Sequence, residues 1–324
     1  MERRPLGRSG LAFSLLGFGC GSNGGLMVRG DAAEQERAVA RAIALGVTYF
    51  DTAPTYGEGE SERNLGRVLK ALKPDVLVGS KYRLPAEPGD IAAAIPRSLE
   101  ASLARLGRDH LDLLQLHSRI AADGRPNSVT PDAVLNEVVP ALDKLRQAGK
   151  LRAIGLTGLG DTPSLLRILD AGVFDSVQIA VNLLNPSAAR PVPAGFPMQD
   201  FAHAIARAAA AGMGVLAIRV LAGGALVGPV RHPVASTRVD PFGTGRDYAS
   251  DLARAAVLAD LVQEGHAADL PEAGIRFAAM LAGVTCVLVG YSSLDQLEHA
   301  AAAIAKGPLP AAAMQRLDAI WKSY

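Results

Sequence analysis

Residues 50–69 read FDTAPTYGEGESERNLGRVL and contain the alternation on which the fold depends. The run from Thr48 to Asp51, which leads into this stretch, predicts a short β-strand. From Ser61 onward, apolar residues recur every three or four positions, which is typical of a helix with one buried face. A strand, a loop that contains Tyr56 and a helix therefore follow one another, as in one βα unit.

The same alternation continues on both sides of this unit. Helical spacing recurs in EQERAVARAIALG at residues 34–46 and in DIAAAIPRSLEASLARLG at residues 90–107. Eight apolar runs predict strands at Leu15–Gly19, Thr48–Asp51, Val76–Lys81, Leu111–His117, Ala153–Thr157, Ser176–Val181, Val215–Ile218 and Cys286–Gly290. Because alternating strands and helices build parallel sheets, the predicted fold class is α/β.

The chain has 324 residues, a length compatible with one large α/β barrel or with two ordinary domains. No Gly/Ser linker, low-complexity block or charge run divides it, so we expect one domain over residues 1–324. The longest irregular stretch, Leu221 to Gly245, is rich in Gly and Pro. Loops of that length are often lids over a site, although a surface excursion remains an equal alternative.

The charge balance argues against polyanionic partners. Lys and Arg number 33 and Asp and Glu number 32, which gives a net charge of +1, so neither nucleic acid nor a membrane surface is an expected partner. The two cysteines, Cys20 and Cys286, are too few for a disulfide framework and lack the spacing of a zinc site. We expect a soluble, cytoplasmic protein without a metal, and the oligomeric state stays open.

Three consecutive predicted strands end in ionisable residues: Asp51, Lys81 and His117. Tyr56 lies in the loop after the first of them. In a parallel barrel the carboxyl ends of neighbouring strands meet at one rim, so these four side chains are expected to converge.

The four residue types suit hydride addition to a carbonyl, which leaves an oxyanion that must be stabilised and protonated. Tyr56 is the candidate acid, because a nearby ammonium such as Lys81 favours the phenolate and eases proton donation. Asp51 would keep Lys81 charged and in place. His117 would donate a hydrogen bond to the carbonyl oxygen and orient the substrate.

Five stretches together resemble the aldo-keto reductases: LGRSGLAFSLLGFG, FDTAPTYGEGESERNLGRVL, VLVGSKY, LDLLQLHS and GKLRAIGLTG. The resemblance runs in order from Leu6 to about Ala300, and its most specific part is DTAPTYGEGESERNLG. It implies a (β/α)8 TIM barrel closed at its amino-terminal end by a short hairpin, here Glu2 to Ala12. It also implies that Asp51, Tyr56, Lys81 and His117 are the catalytic residues.

The resemblance further implies a nicotinamide cofactor that lies over the barrel rim. The implied contacts are Gly19, Cys20, Thr157, Gln178, Ile218, Arg219, Leu221, Gly223, Gly290, Ser292 and Gln296. Three positions depart from the family pattern: Thr157-Gly158 replaces a Ser-Asn pair, Ile218 replaces an aromatic residue, and Ser292 stands where NADP-preferring members carry a basic residue. Family habit favours NADP(H), and NAD(H) remains possible.

Loop positions supply the candidate substrate contacts. Ser22, Asn23 and Leu26 follow the first barrel strand, and Ser118, with Arg119 beside it, follows the fourth. Cys20 is expected to be accessible beside the cofactor. The substrate class is an aldehyde or ketone, or the corresponding alcohol or sugar, and the direction of the reaction stays open.

Two other interpretations compete with this one. GCGSNG, at Gly19 to Gly24, formally matches the GxGxxG fingerprint of a Rossmann dehydrogenase, but helical spacing resumes only near Asp31. The second alternative is a cofactor-binding regulatory or redox-sensing subunit that keeps the barrel and has little turnover.

Overall fold

The computed structural model describes residues 1–84, 89–123, 128–236 and 247–323. The strands are β1 (Arg3–Pro5), β2 (Ala12–Ser14), β3 (Leu16–Gly19), β4 (Tyr49–Asp51), β5 (Leu77–Tyr82), β6 (Leu111–Leu116), β7 (Arg119–Ile120), β8 (Ser128–Val129), β9 (Leu151–Thr157), β10 (Ser176–Ala180), β11 (Gly214–Ile218) and β12 (Val284–Gly290). Part of the long irregular stretch, residues 237–245, lies outside the described residues.

The α-helices cover the outside of the sheet. They are α1 (Leu26–Arg29), α2 (Ala32–Ala44), α3 (Glu60–Leu72), α4 (Ile91–Leu106), α5 (Pro131–Ala133), α6 (Val139–Gln147), α7 (Thr162–Ala171), α8 (Ala204–Ala210), α9 (Tyr248–Ala256), α10 (Asp260–Gln263), α11 (Leu270–Met280), α12 (Leu294–Ala305) and α13 (Ala311–Lys322). A π-helical turn, Val134–Val138, joins α5 to α6, and 3-10 turns occur at Ala222–Gly224 and Val257–Ala259.

Eight parallel strands close into a barrel in the order β3-β4-β5-β6-β9-β10-β11-β12, and β12 pairs with β3. This confirms the predicted α/β barrel, and each predicted strand overlaps an observed one. A closed barrel also excludes the Rossmann interpretation, which requires an open sheet. Residues 20–25 instead form the loop between β3 and the short helix α1.

An antiparallel hairpin of β1 and β2 precedes the barrel, with Arg3 opposite Ser14. The hairpin was expected at Glu2 to Ala12, and its second strand extends two residues further. Its side chains belong to a second, smaller hydrophobic cluster that fills one end of the barrel. Within that cluster, the ring of Phe13 stacks on Tyr49 with 4.0 Å between centroids.

Polar N-caps fix where several of the surrounding helices begin. The side chains of Asp31, Asp90 and Asp161 each accept a hydrogen bond from a backbone N–H in the first turn of the helix that follows. Ser293 does the same for α12. Because each cap ends the loop that precedes its helix, these caps also define the loops at the carboxyl ends of the strands.

Within the described ranges, no helix has the length and apolar character needed to cross a bilayer. No group of three or more His, Cys, Asp or Glu side chains in those ranges is arranged to hold a metal ion.

Candidate active site

Asp51 and Lys81 form a buried ion pair at the carboxyl ends of β4 and β5. Their side chains are 2% and 1% exposed, respectively. Lys81 Nζ donates hydrogen bonds to Asp51 Oδ1 and, at 2.9 Å, to the carbonyl oxygen of Thr52. Burial alone would lower the pKa of Lys81, but the negative charge of Asp51 and the neighbouring Tyr56 raise it above its ordinary value. Lys81 is therefore an ammonium in this site.

The second oxygen of Asp51 accepts three more hydrogen bonds from inside the barrel. Its donors are the Tyr49 hydroxyl at 2.9 Å, Gln115 Nε2 at 2.9 Å and Gln178 Nε2 at 2.7 Å. A carboxylate in this role is acceptor-only, and the four donors together fix its orientation.

Tyr56 lies in the loop between β4 and α3, where Gly57 and Gly59 adopt positive φ values of 59° and 89°. Glycine adopts that conformation without steric cost, and it lets the chain turn into the helix. The ring of Tyr56 is half-buried and lies 4.9 Å, centroid to Nζ, from Lys81. On another side the ring faces Gly21, where an added Cβ would be in ordinary van der Waals contact with it at 3.6 Å.

His117 directly follows β6, and its ring stands perpendicular to that of Tyr56 with 6.1 Å between centroids. Burial, together with the positive charges of Lys81, Arg83 and Arg219, lowers the pKa of His117 to about 3. The imidazole is therefore neutral at neutral pH. Among the described residues, none offers a hydrogen-bond partner to its buried Nδ1 atom. The four predicted catalytic residues thus lie at one rim.

A cavity of about 510 Å³ is lined by the loops after β3, β11 and β12, and none of the four predicted catalytic residues is among its described lining residues. Arg219, whose charge acts on His117, does line it. That volume falls within the range of ordinary ligand pockets. Seven residues expected to bind cofactor or substrate line this cavity: Asn23, Arg219, Leu221, Gly223, Gly290, Ser292 and Gln296.

Arg231 also lines the cavity, and the sequence analysis did not identify it. Its Nη1 donates to the carbonyl oxygen of Gly223 and to the Tyr248 hydroxyl, both at 3.1 Å, and its Nε donates to Ser236 O at 2.8 Å. In a glycine-rich loop, the sequence alone does not distinguish an arginine that is hydrogen-bonded to the protein from one that is exposed to solvent. With Arg219, Arg231 gives the cavity two guanidinium groups suited to phosphate.

Two carboxylates also line the cavity. Asp269 caps α11 and lies 3.2 Å from His299 Nε2, while Asp295 is in the first turn of α12. Ser292 lines the cavity as well, and its hydroxyl donates to Gly24 O at 2.6 Å. Its backbone N–H donates to Gln296 Oε1 at 2.8 Å.

Several predicted contacts do not line the cavity. Gly19, Cys20, Thr157, Gln178 and Ile218 are absent from its walls. The expectation that Cys20 is accessible is wrong: the side chain is 1% exposed in the core, and burial raises the pKa of its thiol.

Two of the candidate substrate residues are also corrected. Leu26 is 1% exposed and packs in the core, because α1 turns it inward. Ser118 is 1% exposed, and its hydroxyl oxygen accepts a hydrogen bond from Leu84 N at 2.9 Å. Ser22 and Asn23 are half-buried, and Arg119 is exposed. A position in a rim loop did not reveal which way the side chain points.

Tyr49 and Gln115 are two further site residues that the sequence analysis missed. Each lies two positions before a predicted catalytic residue, Asp51 or His117, and alternate strand residues share a face of the sheet. That spacing is the signal that would have placed both of them beside the site.

Comparison with known proteins gives a consistent result. The sequence profile described as "Aldo/keto reductase family" matches residues 15–322. L-galactose dehydrogenase of Arabidopsis thaliana is 39% identical over 165 residues, which are 49% of either chain, so the chain spans about half the length of that relative. D-threo-aldose 1-dehydrogenase of a Pseudomonas species is 29% identical over 92% of this chain and 93% of its own.

Solved structures show the same barrel. The holo form of an aldo-keto reductase from Bacillus halodurans has a TM-score of 0.75 at 24% identity, covering 100% of this chain and 97% of that one. A putative aldo-keto reductase of Pseudomonas aeruginosa has a TM-score of 0.64 at 25% identity, with 94% of both chains covered.

Proposed function

The chain belongs to the aldo/keto reductase family, and from that premise we propose that it catalyses reversible hydride transfer between a nicotinamide cofactor and a carbonyl compound or its alcohol. Tyr56 is the general acid and base, Lys81 and Asp51 support it, and His117 orients the carbonyl. The observation that carries this proposal is the buried Lys81–Asp51 pair beside Tyr56 and a neutral His117.

Each of the four side chains has a separate task. As the carbonyl carbon is reduced, its oxygen gains negative charge, and a neutral His117 N–H stabilises it by a hydrogen bond. The Tyr56 hydroxyl gives its proton to that oxygen, which completes the alcohol. The Lys81 ammonium offsets the charge left on the tyrosine oxygen, and Asp51 keeps the ammonium aimed at it. In the oxidative direction the phenolate of Tyr56 takes the proton from the alcohol.

The cavity lined by the loops after β3, β11 and β12 is the proposed cofactor site. When bound, a nicotinamide cofactor supplies or accepts the hydride. Arg219 and Arg231 are suited to hold its phosphates, since guanidinium groups bind phosphate oxygens in pairs. The apolar walls formed by Ile275, Leu288 and Val289 suit its rings and sugars. Gln178 donates to Asp51 here, so a carboxamide contact would have to share its amide.

We further propose that NAD(H) is preferred over the NADP(H) that family habit favours. The cavity lining includes the carboxylates of Asp269 and Asp295, the second of them three residues after Ser292, and His299 is paired with Asp269. A 2′-phosphate carries between one and two negative charges and binds through charge-assisted hydrogen bonds. The two carboxylates repel it, whereas a ribose hydroxyl can donate to either.

An aldose is the proposed substrate class. The relatives named above are dehydrogenases of L-galactose and of D-threo-aldoses, the second matched along most of both chains. Oxidation of the hydroxyl at the anomeric carbon uses the same proton path to Tyr56.

The test is one matrix of initial rates together with calorimetric binding constants. Initial rates are measured for aldoses with NAD⁺ and NADP⁺ and for simple aldehydes with NADH and NADPH. The protein should oxidise aldoses, with kcat/KM at least about tenfold higher for NAD⁺ than for NADP⁺. NADPH should bind at least about tenfold more weakly than NADH, and Ser292→Arg should narrow that difference. Tight cofactor binding without turnover on any compound would instead favour the regulatory subunit, and equal binding of both cofactors would contradict the NAD(H) preference.

A further inference from the structure

Tyr49 is a fully buried tyrosine whose hydroxyl is committed to one carboxylate. It opens β4, two residues before Asp51, so both side chains point into the barrel. The side chain is 0% exposed, and its hydroxyl donates to Asp51 Oδ2 at 2.9 Å. Burial and the charge of Asp51 raise the pKa of Tyr49 well above its ordinary value, so the hydroxyl keeps its proton.

The barrel interior is shaped around this ring. A Cβ at Gly79, the residue opposite Asp51 on β5, would collide with the Tyr49 hydroxyl. A Cβ at Gly17 on β3 would press on the edge of the ring at 3.4 Å and on Cys286 Sγ at 2.7 Å. From the hairpin end of the barrel, Phe13 stacks on the ring at an interplanar angle of 16°. The ring therefore has little freedom to move away from Asp51.

Gln115 reinforces the same contact from β6. Its Nε2 lies 2.9 Å from Asp51 Oδ2 and 3.5 Å from the Tyr49 hydroxyl. Together with Gln178 Nε2 at 2.7 Å, these two donors hold one carboxylate oxygen, so the other faces Lys81. Rotation of the Asp51 carboxylate would break the Lys81 contact or leave buried donors without an acceptor, which costs free energy.

We propose that Tyr49, assisted by Gln115, is a positioning residue for proton transfer: it fixes the Asp51 carboxylate, which in turn holds the Lys81 ammonium beside Tyr56. The inference rests on the proposed function of Tyr56. On this proposal a chain of contacts supports Tyr56. Phe13 stacks on Tyr49, Tyr49 donates to Asp51, and Asp51 holds Lys81 beside Tyr56.

A comparison within the chain distinguishes this role from ordinary core packing. Tyr82 and Tyr291 are also fully buried, each 1% exposed, yet among the described residues neither hydroxyl has a hydrogen-bond partner. Burial of a tyrosine in this protein therefore does not require a partner for its hydroxyl. Tyr82 adjoins Lys81 in sequence and provides a matched control.

The experiment compares full-length Tyr49→Phe, Tyr82→Phe and Tyr56→Phe with the wild type. Tyr49→Phe should lower kcat about tenfold while KM and the cofactor dissociation constant stay within about twofold. Its solvent deuterium isotope effect on kcat should rise, because proton transfer becomes more rate-limiting. Tyr82→Phe should keep the kcat and the isotope effect of the wild type, and thermal unfolding should show that both variants are folded.

The outcomes separate this inference from the proposed function. If Tyr56→Phe loses turnover while folded Tyr49→Phe keeps the wild-type kcat and isotope effect, the positioning role is overturned and the proposed function stands. An equal loss in Tyr49→Phe and Tyr82→Phe also overturns it, since packing alone would then explain both. If Tyr56→Phe turns over as fast as the wild type, both the proposed function of Tyr56 and the positioning role of Tyr49 are overturned.

Discussion

The neutrality of His117 is the residue-scale feature with the widest consequences. An imidazole held among Lys81, Arg83 and Arg219 resists a further positive charge, and burial adds to that resistance. A neutral ring retains one N–H, which is what a hydrogen bond to a carbonyl oxygen requires. It also follows that His117 will not contribute an ionisation near pH 6.5 to the rate profile.

The same property predicts how stability depends on pH. In the unfolded chain His117 binds a proton below about pH 6.5, whereas in the folded chain it does so only near pH 3, so acidification favours unfolding. Between pH 7 and pH 5 this residue should cost the wild type about 2 kcal/mol of unfolding free energy. Urea denaturation at both pH values should show that loss reduced by about that amount in His117→Gln.

The control for this measurement is His203→Asn. His203 is exposed and adopts a left-handed conformation that asparagine tolerates. It should follow the pH dependence of the wild type. If His117→Gln loses as much stability between pH 7 and pH 5 as the wild type, the imidazole is not held neutral by its surroundings.

Site residues differed in how well the sequence revealed them. Asp51, Lys81 and His117 end consecutive strands, so the convergence of parallel strands at one rim was enough to bring them together. Tyr49 and Gln115 lie inside apolar runs, and a tyrosine in such a run is usually core. Only the closed barrel, which brings β4, β6 and β10 around one carboxylate, shows what their polar atoms bind.

At the scale of elements, the amino-terminal hairpin is more than a cover for the barrel. Phe13 of β2 is 0% exposed and stacks on Tyr49, whose hydroxyl contacts Asp51. The hairpin therefore supports the site from the opposite end of the barrel. Its second strand ends at Ser14, whose backbone N–H donates to Thr48 Oγ1 at 3.0 Å and ties the hairpin to the residue before β4.

Truncation of this stack should destabilise the protein strongly. Phe13→Ala should lower the free energy of unfolding by about 3–5 kcal/mol, because a large buried ring is replaced by a cavity. Denaturant unfolding measures this directly. Val257→Ala, at a position 53% exposed, is the matched control and should change the free energy by less than about 0.5 kcal/mol. If Phe13→Ala also lowers the free energy of unfolding by less than about 0.5 kcal/mol, the hairpin contributes little to stability.

The strands were easier to predict than the loops. Every predicted strand overlaps an observed one, because short apolar, β-branched runs are a local property of the sequence. The loops that line the cavity bend through contacts distant in sequence, such as Arg29 Nε donating to Val234 O at 2.7 Å. A stretch of sequence does not contain such contacts, and Leu26 and Ser118 were misassigned for that reason.

For the molecule as a whole, the predicted fold class and family are confirmed. The roles of individual residues remain proposals. The profile match over residues 15–322 and the closed barrel support an oxidoreductase of this family. One domain over residues 1–324 stays a prediction. Arg219 and Arg231 line the cavity together with Asp269 and Asp295, which lie at the starts of α11 and α12. The two carboxylates underlie the proposed preference for NAD(H).

Tyr56 is the proposed proton donor, and the variant Tyr56→Phe tests that role. The measurement pairs kcat for hydride transfer with the calorimetric dissociation constant of the cofactor, with Tyr82→Phe as the control for loss of a tyrosine hydroxyl. Loss of a general acid costs about 10²–10⁴-fold in rate, so kcat should fall by at least about a hundredfold while the dissociation constant stays within about twofold. A folded Tyr56→Phe protein that turns over as fast as the wild type would contradict the proposed mechanism.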